Sequence, residues 1–326
     1  MFTCFIPHPG GLTRLDHQPA VVPAGALWVD LLEPTLEEEK AVEQFLTIDV
    51  PTREEMKEIE ASSRLYEEAG ALYMTATVVA KVDTGRPITA AVTFILARNR
   101  LITNRYHDPL PFRKYQAYAE RHASVCSSAQ MLLAGLLEAI VERVADVLER
   151  VGNDLDDLSS GVFAPPGRHM TANHVSRDLR NAMERIGRNG DLLSKARESL
   201  TSLGRMLTFV MQSTVVTLSA EERARYKTLS RDVLALSDHA AFVNNKSSFL
   251  LEATLGLINI EQNNIIKIFS VAAVVFLPPT LVASIYGMNF HHLPELDWPY
   301  GYPFALVLMV VSAALPFLYF KRRGWL

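Results

Sequence analysis

The sequence predicts an α+β membrane protein: an N-terminal cytoplasmic α/β domain, long stalk helices and two C-terminal transmembrane helices. Three observations predict it. Residues 268–286 (IFSVAAVVFLPPTLVASIY) and 303–320 (PFALVLMVVSAALPFLYF) carry no charge. Between Ala220 and Leu277 there is no proline and only one glycine, Gly256. Strand-like runs rich in Val, Ile, Thr and aromatics occur only in the first third of the chain.

The α/β domain comes first. Residues 26–31, 71–82 and 90–97 read as strands. Thr35 with Glu38 three residues on reads as a capped helix start, and Thr52 with Glu55 repeats the pattern ahead of REEMKEIEAS. After Ser124 strand signals stop. Residues 129–158 form a long helical pattern, broken by Gly161 and the Pro165-Pro166-Gly167 cluster. A second helical stretch covers 171–216.

One uninterrupted helix from Ala220 to Tyr286 would run roughly 100 Å. Leu229, Val233, Leu236, Ala240, Val243, Ser247, Leu250, Thr254 and Leu257 recur at spacings of four and three. Such a seam packs against copies of the helix or against neighbours in the same subunit. The rod joins the soluble domain to the first span, so it can transmit motion between them.

The two charge-free segments are close to the length needed to cross a bilayer, though buried core helices also pass a length test. Lys321, Arg322 and Arg323 follow the second, and residues 287–302 between them contain no Lys or Arg. By the positive-inside rule both termini are cytoplasmic. Met1–Thr13 lacks the charge and apolar run of a signal peptide. Trp298, Tyr300 and Tyr302 suit the outer interface, and Trp325 the inner one. The divisions expected are 1–122, 123–266, 267–286, 287–302, 303–320 and 321–326.

At 100° per residue, Asn263, Ile266, Ser270, Ala273, Leu277, Thr280 and Ser284 share an arc of about 100° on the first span. An uncharged polar stripe lines a water-filled path, or its hydroxyls bond to helix backbone. As a path it needs several subunits around it, with Leu277 and Ile266 as apolar constrictions. Pro278-Pro279 frees carbonyls for the pore or for Thr280. At the outer end, Gly287, Met288 and Asn289 offer close backbone approach and an amide oxygen, suited to a hydrated hard cation.

Other classes of function find little support. The net charge is −4, and no basic run points to nucleic acid. No G-x-x-x-x-G-K-[ST] loop is present, so no nucleotide is expected. Cys4 and Cys126 lie too far apart for a metal-ligand spacing and read as reduced thiols. No hydrolytic or redox constellation is present, so the chain is not expected to be an enzyme.

Several motifs carry a resemblance. They are Tyr286-Gly287-Met288-Asn289-Phe290, Leu293-Pro294-Glu295-Leu296, Trp298, Gly301-Tyr302-Pro303, and the ending Tyr319-Phe320-Lys321-Arg322-Arg323-Gly324-Trp325-Leu326. Trp28-Val29-Asp30-Leu31, Glu58-Ile59-Glu60-Ala61-Ser62, Asn259-Ile260-Glu261-Gln262-Asn263 and Ile265-Ile266-Lys267-Ile268-Phe269 add to them. Together they resemble the CorA family of magnesium transporters along the whole chain.

The resemblance implies a funnel-shaped homopentamer in the cell inner membrane, in contact with membrane lipids. It implies influx of magnesium, and also cobalt and nickel, down the electrochemical gradient. Gly287, Met288 and Asn289 become the selectivity filter, and Asn263, Ile266, Leu277, Thr280 and Ser284 pore positions. Lys321, Arg322 and Arg323 ring the cytoplasmic side. Intracellular magnesium bound by acidic residues between neighbouring soluble domains holds the pore shut. Asp83 in a hairpin, and Asp232 and Asp238 on the stalk, are the candidates for that role. In the outer loop, Glu295 carries charge, and His291 and His292 either favour softer ions or are plain solvated residues. The alternatives are a zinc-transporting relative and, in another class, a membrane-tethered sensor or scaffold.

Overall fold

The computed structural model describes residues 1–16, 21–163, 172–288 and 298–325, with no side-chain description at Ala61 and 172–176. The described chain divides into two units: Met1–Phe163 with Glu184–Leu250, and Ala164–Met183 with Leu251–Leu326.

The first unit is built on a seven-stranded sheet in the order β2-β1-β3-β7-β6-β5-β4. Its strands are β1 (Phe2–His8), β2 (Gly11–Asp16), β3 (Trp28–Leu32), β4 (Leu65–Glu68), β5 (Ala71–Ala80), β6 (Ile88–Ala97) and β7 (Arg100–Arg105). Among the described strands only β3 and β7 pair in parallel, with Trp28 opposite Leu101 and Leu32 opposite Arg105. The strand expectations at 26–31, 71–82 and 90–97 hold as β3, β5 and β6. Strands β1, β2, β4 and β7 were not read from the sequence. In β1 and β7 both faces are largely buried, so neither shows the alternation that marks a half-exposed strand.

Helix α1 (Leu36–Leu46) starts as read: Glu38 N–H donates to Thr35 Oγ1 at 3.3 Å, and Thr35 N–H donates to Glu38 Oε2 at 3.0 Å. Val42 and Leu46 pack from it onto Phe2, Cys4, Val29, Leu31, Tyr73 and Ile102 of the sheet. The second box also closes, with Thr52 N–H donating to Glu55 Oε2 at 2.7 Å. It opens only the short turn Glu55–Lys57, and Glu58 leaves the helical region with ψ 141°. Met56 is the turn's one buried residue and Ile59 is 86% exposed. A cap without an apolar face to bury does not sustain a helix. The four-residue α2 (Ala61–Arg64) follows.

Beyond β7 lie α3 (Leu110–Ala119), α4 (Ala129–Val162), α5 (Ala172–Gln212) and α6 (Ala220–Tyr286). Helix α4 runs through Gly161 rather than stopping there. The Pro165-Pro166-Gly167 cluster lies outside the described residues. Aromatic rings fill the region between sheet and helices: Phe5 on Trp28, Trp28 on Tyr115, and Phe94 on Phe112.

Within this layer sits a buried ion pair. Arg105 grips both carboxylate oxygens of Asp30, at 3.0 and 2.7 Å. Thr103 and Gln116 donate to the same carboxylate, and Phe112 stacks beneath the guanidinium. Burial works against the charge of Arg105, but Asp30 and Asp108 outweigh it and hold its pKa up.

The start of α6 carries a capping box not read from the sequence. Ser219 N–H donates to Glu222 Oε2 at 2.7 Å, and Glu222 N–H to Ser219 Oγ at 3.2 Å. Glu222 also accepts from Ser128, the N-cap of α4, so one carboxylate joins two helix starts. Burial pushes its pKa up, but these hydrogen bonds prevail and lower it. The Ser-x-x-Glu spacing was legible; its second partner was not.

The stalk seam resolves in favour of packing within the subunit. Leu229, Val233, Ala240, Val243, Ser247, Leu250 and Thr254 are all buried in the single chain, and Leu236 and Leu257 are half-buried. Around the stretch that belongs to the first unit, Tyr226 donates to Gln130 O, Arg225 chelates Glu138, and Phe249 stacks on Phe163. The same stretch leaves Leu234, Phe242 and Phe249 exposed on another face.

Candidate ion pathway

The second unit contains the end of α6 and α7 (Gly301–Arg322), the two helices long and apolar enough to cross a membrane. Almost none of either apolar window is buried. Phe276, Leu277 and Val310 are 69%, 70% and 67% exposed. Core helices of a soluble protein would bury these side chains, so that alternative falls.

Each helix nevertheless has one sheltered face. On α6 it comprises Val271, which is buried, with Ala272, Val275, Pro278, Pro279, Val282 and Tyr286 half-buried. On α7 it is Gly301 and Ala305, both buried, continued by Met309, Ser312, Ala313 and Pro316. Small residues on a spanning helix allow close approach of a neighbour. The stripe Asn263, Ile266, Ser270, Ala273, Leu277, Thr280 and Ser284 is exposed throughout. At 100° per residue the centre of the stripe and the centre of the sheltered face lie about 180° apart.

Local chemistry refines the stripe. Thr280 Oγ1 donates to Phe276 O at 2.7 Å, so this hydroxyl bonds back to its own helix. It does not use the carbonyls of Val274 and Val275, which Pro278 and Pro279 leave without their helical donors. The helix remains continuous through both prolines. At its end Gly287 N–H still donates to Ala283 O at 3.0 Å, and Met288 N–H to Ile285 O at 3.2 Å. Gly287 thus adds a last helical hydrogen bond, and Met288 is exposed. Asn289, His291, His292 and Glu295 lie outside the described residues.

Lys321 and Arg322 close α7, and Arg323 lies over the Tyr319 ring at 5.4 Å. Trp325 stacks on Phe320, and Trp298 packs beside Tyr300 and Phe304.

The acidic candidates sit apart from one another. Asp83 lies in the turn Val82–Thr84 between β5 and β6, as the hairpin reading expected. It accepts from Arg143 at 2.7 Å and Arg150 at 3.2 Å, two cations of α4. The Arg143 hydrogen bond, helped by Arg150, holds its carboxyl below the ordinary value. Asp232 and Asp238 are exposed on α6. Among the described residues no three His, Cys, Asp or Glu side chains gather to hold a metal. Cys4 and Cys126 are free and buried, and burial pushes the Cys4 thiol up to about 12.

Comparison with known proteins bears on the whole chain. Residues 23–322 match the family described as CorA-like Mg2+ transporter protein. The chain is 36% identical over 326 residues to the magnesium transport protein CorA of Salmonella typhimurium, covering all of both chains. The CorA of Escherichia coli K12 is similar to the same extent, 36% over 326 residues with full coverage of both. In fold, the chain is similar to the complete CorA magnesium transporter of Methanocaldococcus jannaschii, with TM-score 0.74, 22% identity, and coverage of 100% and 99%. The cytoplasmic domain of ZntB from Vibrio parahaemolyticus is a more distant likeness, with TM-score 0.57 and 9% identity over 80% of this chain and 97% of that one. A family match over nearly the whole sequence, with full-length relatives at 36% identity, leaves one assignment: the chain belongs to the CorA family.

Proposed function

We propose that this chain is one subunit of a homopentameric inner-membrane channel that admits Mg2+ to the cytoplasm. The observation that carries this reading is the position of the stripe. The sheltered face of α6 lies on the opposite side of the helix, which leaves Asn263 to Ser284 open along a whole face. A closed ring of copies gives that face a water-filled axis to line. The full-length relatives named as magnesium transport proteins support the same cargo.

In this reading Gly287, Met288 and Asn289 select hydrated Mg2+ through neutral oxygens. Neutral ligands hold the ion through its water shell weakly enough to release it. Ser270, Thr280 and Ser284 pass it along, and Leu277 and Ile266 form constrictions that close by dewetting. Entry of a divalent ion gains about 4.6 kcal/mol per 100 mV, so no nucleotide is needed. Co2+ and Ni2+ follow the same path. Both termini are cytoplasmic, with Lys321, Arg322 and Arg323 at the inner face. Residues 1–122 and 123–266 form the cytoplasmic part, 267–286 and 303–320 the spans, 287–302 the outer loop and 321–326 the tail. Internal Mg2+ holds the ring shut through stalk carboxylates such as Asp232 and Asp238. Asp83 enters that role only by giving up its two arginines.

Uptake into reconstituted vesicles tests the proposal, comparing Mg2+, Co2+, Ni2+ and Zn2+ with Asn289→Ala as control. The expected result is Mg2+ entry driven by an inside-negative potential and lost in the variant. Normal Mg2+ conduction by the variant removes the filter assignment. Entry of Zn2+ alone, and only with a proton gradient, establishes the zinc-transporting alternative. No conduction of any ion leaves the tethered scaffold.

A further inference from the structure

Strand β4 begins at Leu65, opposite Met74. Strand β5 continues to Ala80. Among the described residues its outer edge from Thr75 onward therefore has no strand beside it, and an open edge presents unpaired backbone groups. Side chains take over there. Thr77 N–H donates to Ser202 Oγ of α5 at 3.0 Å. Arg64, the last residue of α2, donates to Thr77 Oγ1 at 3.0 Å and to Glu58 O.

A cavity of about 210 Å³ opens along this edge, lined by Arg64, Thr75, Thr77, Glu198, Ser202 and Arg205 among others. Its chemistry is weighted towards donors. Thr77 Oγ1 and Ser202 Oγ already accept hydrogen bonds, so each has its own proton left to give. Thr75 Oγ1 is already paired with Thr93 Oγ1 at 2.8 Å, which leaves Thr77 and Ser202 as the hydroxyls with a proton to spare. Arg64 is held by neutral oxygens, and no carboxylate among the described residues pairs with Arg64 or Arg205. Glu198 is the single acid on the wall against two guanidinium groups.

One guanidinium held by neutral oxygens, a second on the same wall and hydroxyls with protons to spare make a donor set that suits tetrahedral oxyanions. We propose that this cavity binds a small oxyanion of the phosphate class, free phosphate or a small phosphate monoester, held by Arg64, Arg205, Thr77 and Ser202. The site shares no residue with the candidate ion path and stands or falls independently of the transport reading.

Binding of inorganic phosphate to the full-length protein in detergent tests it, by calorimetry at constant ionic strength with magnesium chelated. Saturable binding is expected. Arg205→Ala weakens it about tenfold through loss of a charge-assisted contact. Glu198→Gln tightens it about threefold by removing a repelling charge. Both positions are exposed, so neither change threatens the fold. Displacement of bound phosphate by glycerol 3-phosphate identifies a site that admits esters, and resistance to glycerol 3-phosphate identifies a site for free phosphate. Absence of saturable binding, or binding that neither variant shifts, overturns the proposal.

Discussion

Arg105 in the α/β domain is 3% exposed, whereas Leu277 on the apolar part of α6 is 70% exposed. The charged residue is inside and the apolar one outside. In the first unit a buried charge finds its partners inside the chain: Asp30 receives donors from Arg105, Thr103 and Gln116. In the second unit the chain leaves Phe276, Leu277, Leu281 and Val310 uncovered. The difference teaches where each unit finds its solvent. One is a finished core in water. The other is stable only when lipid or further copies cover its surface.

Arg105→Ala is the sharpest way to break the finished core. It leaves the Asp30 carboxylate buried without its cation, at a cost of about 3–5 kcal/mol. The thermal unfolding midpoint of the first unit should move down accordingly. An unchanged midpoint would show that water reaches the pair. Next is Gly135→Ala. A Cβ there would collide with Tyr115 Oη and lie 2.7 Å from its ring, which also meets Trp28 and Tyr118. Overpacking of this kind costs about 1–3 kcal/mol, readable by denaturant titration.

The same logic predicts the opposite outcome in the span. Leu277→Ala removes more apolar bulk than Gly135→Ala adds, yet should change stability by no more than about 0.5 kcal/mol. Vesicle uptake should instead rise severalfold, because an apolar constriction widens. A core-sized loss of stability with unchanged flux would mean that Leu277 is packed, and the pore reading would fail.

The smallest effect concerns the β5–β6 hairpin. Asp83 titrates below the ordinary carboxylate value in the folded chain because Arg143 and Arg150 donate to it. The unfolded carboxyl takes up its proton first as pH falls. The anchoring contribution is thus complete above the ordinary value and is lost as pH drops through the lowered one. Hydrogen-exchange protection around Lys81–Gly85, taken relative to the intrinsic rate at each pH, should fall over that interval in the wild type. In Asp83→Asn the protection should be low and independent of pH.

What could be read in advance followed from local rules. The Thr35–Glu38 box, the uninterrupted α6 and both apolar helices needed only spacing and composition. The Thr52–Glu55 box shows the limit of such rules: its hydrogen bonds form and its helix does not extend. Strand β7 ends in Asn104 and Arg105, a polar and a charged residue that are nonetheless buried. Their partners, Pro51 O and Asp30, come from 53 and 75 residues away. The stalk seam was visible as a period, but which surface covers it was not.

The sequence by itself determined the two spans, the rod leading into the first, the stripe along it and the family resemblance. Each is a matter of order along one helix or one motif, where neighbours in sequence are neighbours in space. Only the tertiary structure decided that Asp83 is tied to Arg143 and Arg150, that the seam is covered within the chain, and that the stripe faces away from the sheltered side of α6. Those depend on pairings between distant segments, and no local propensity encodes them.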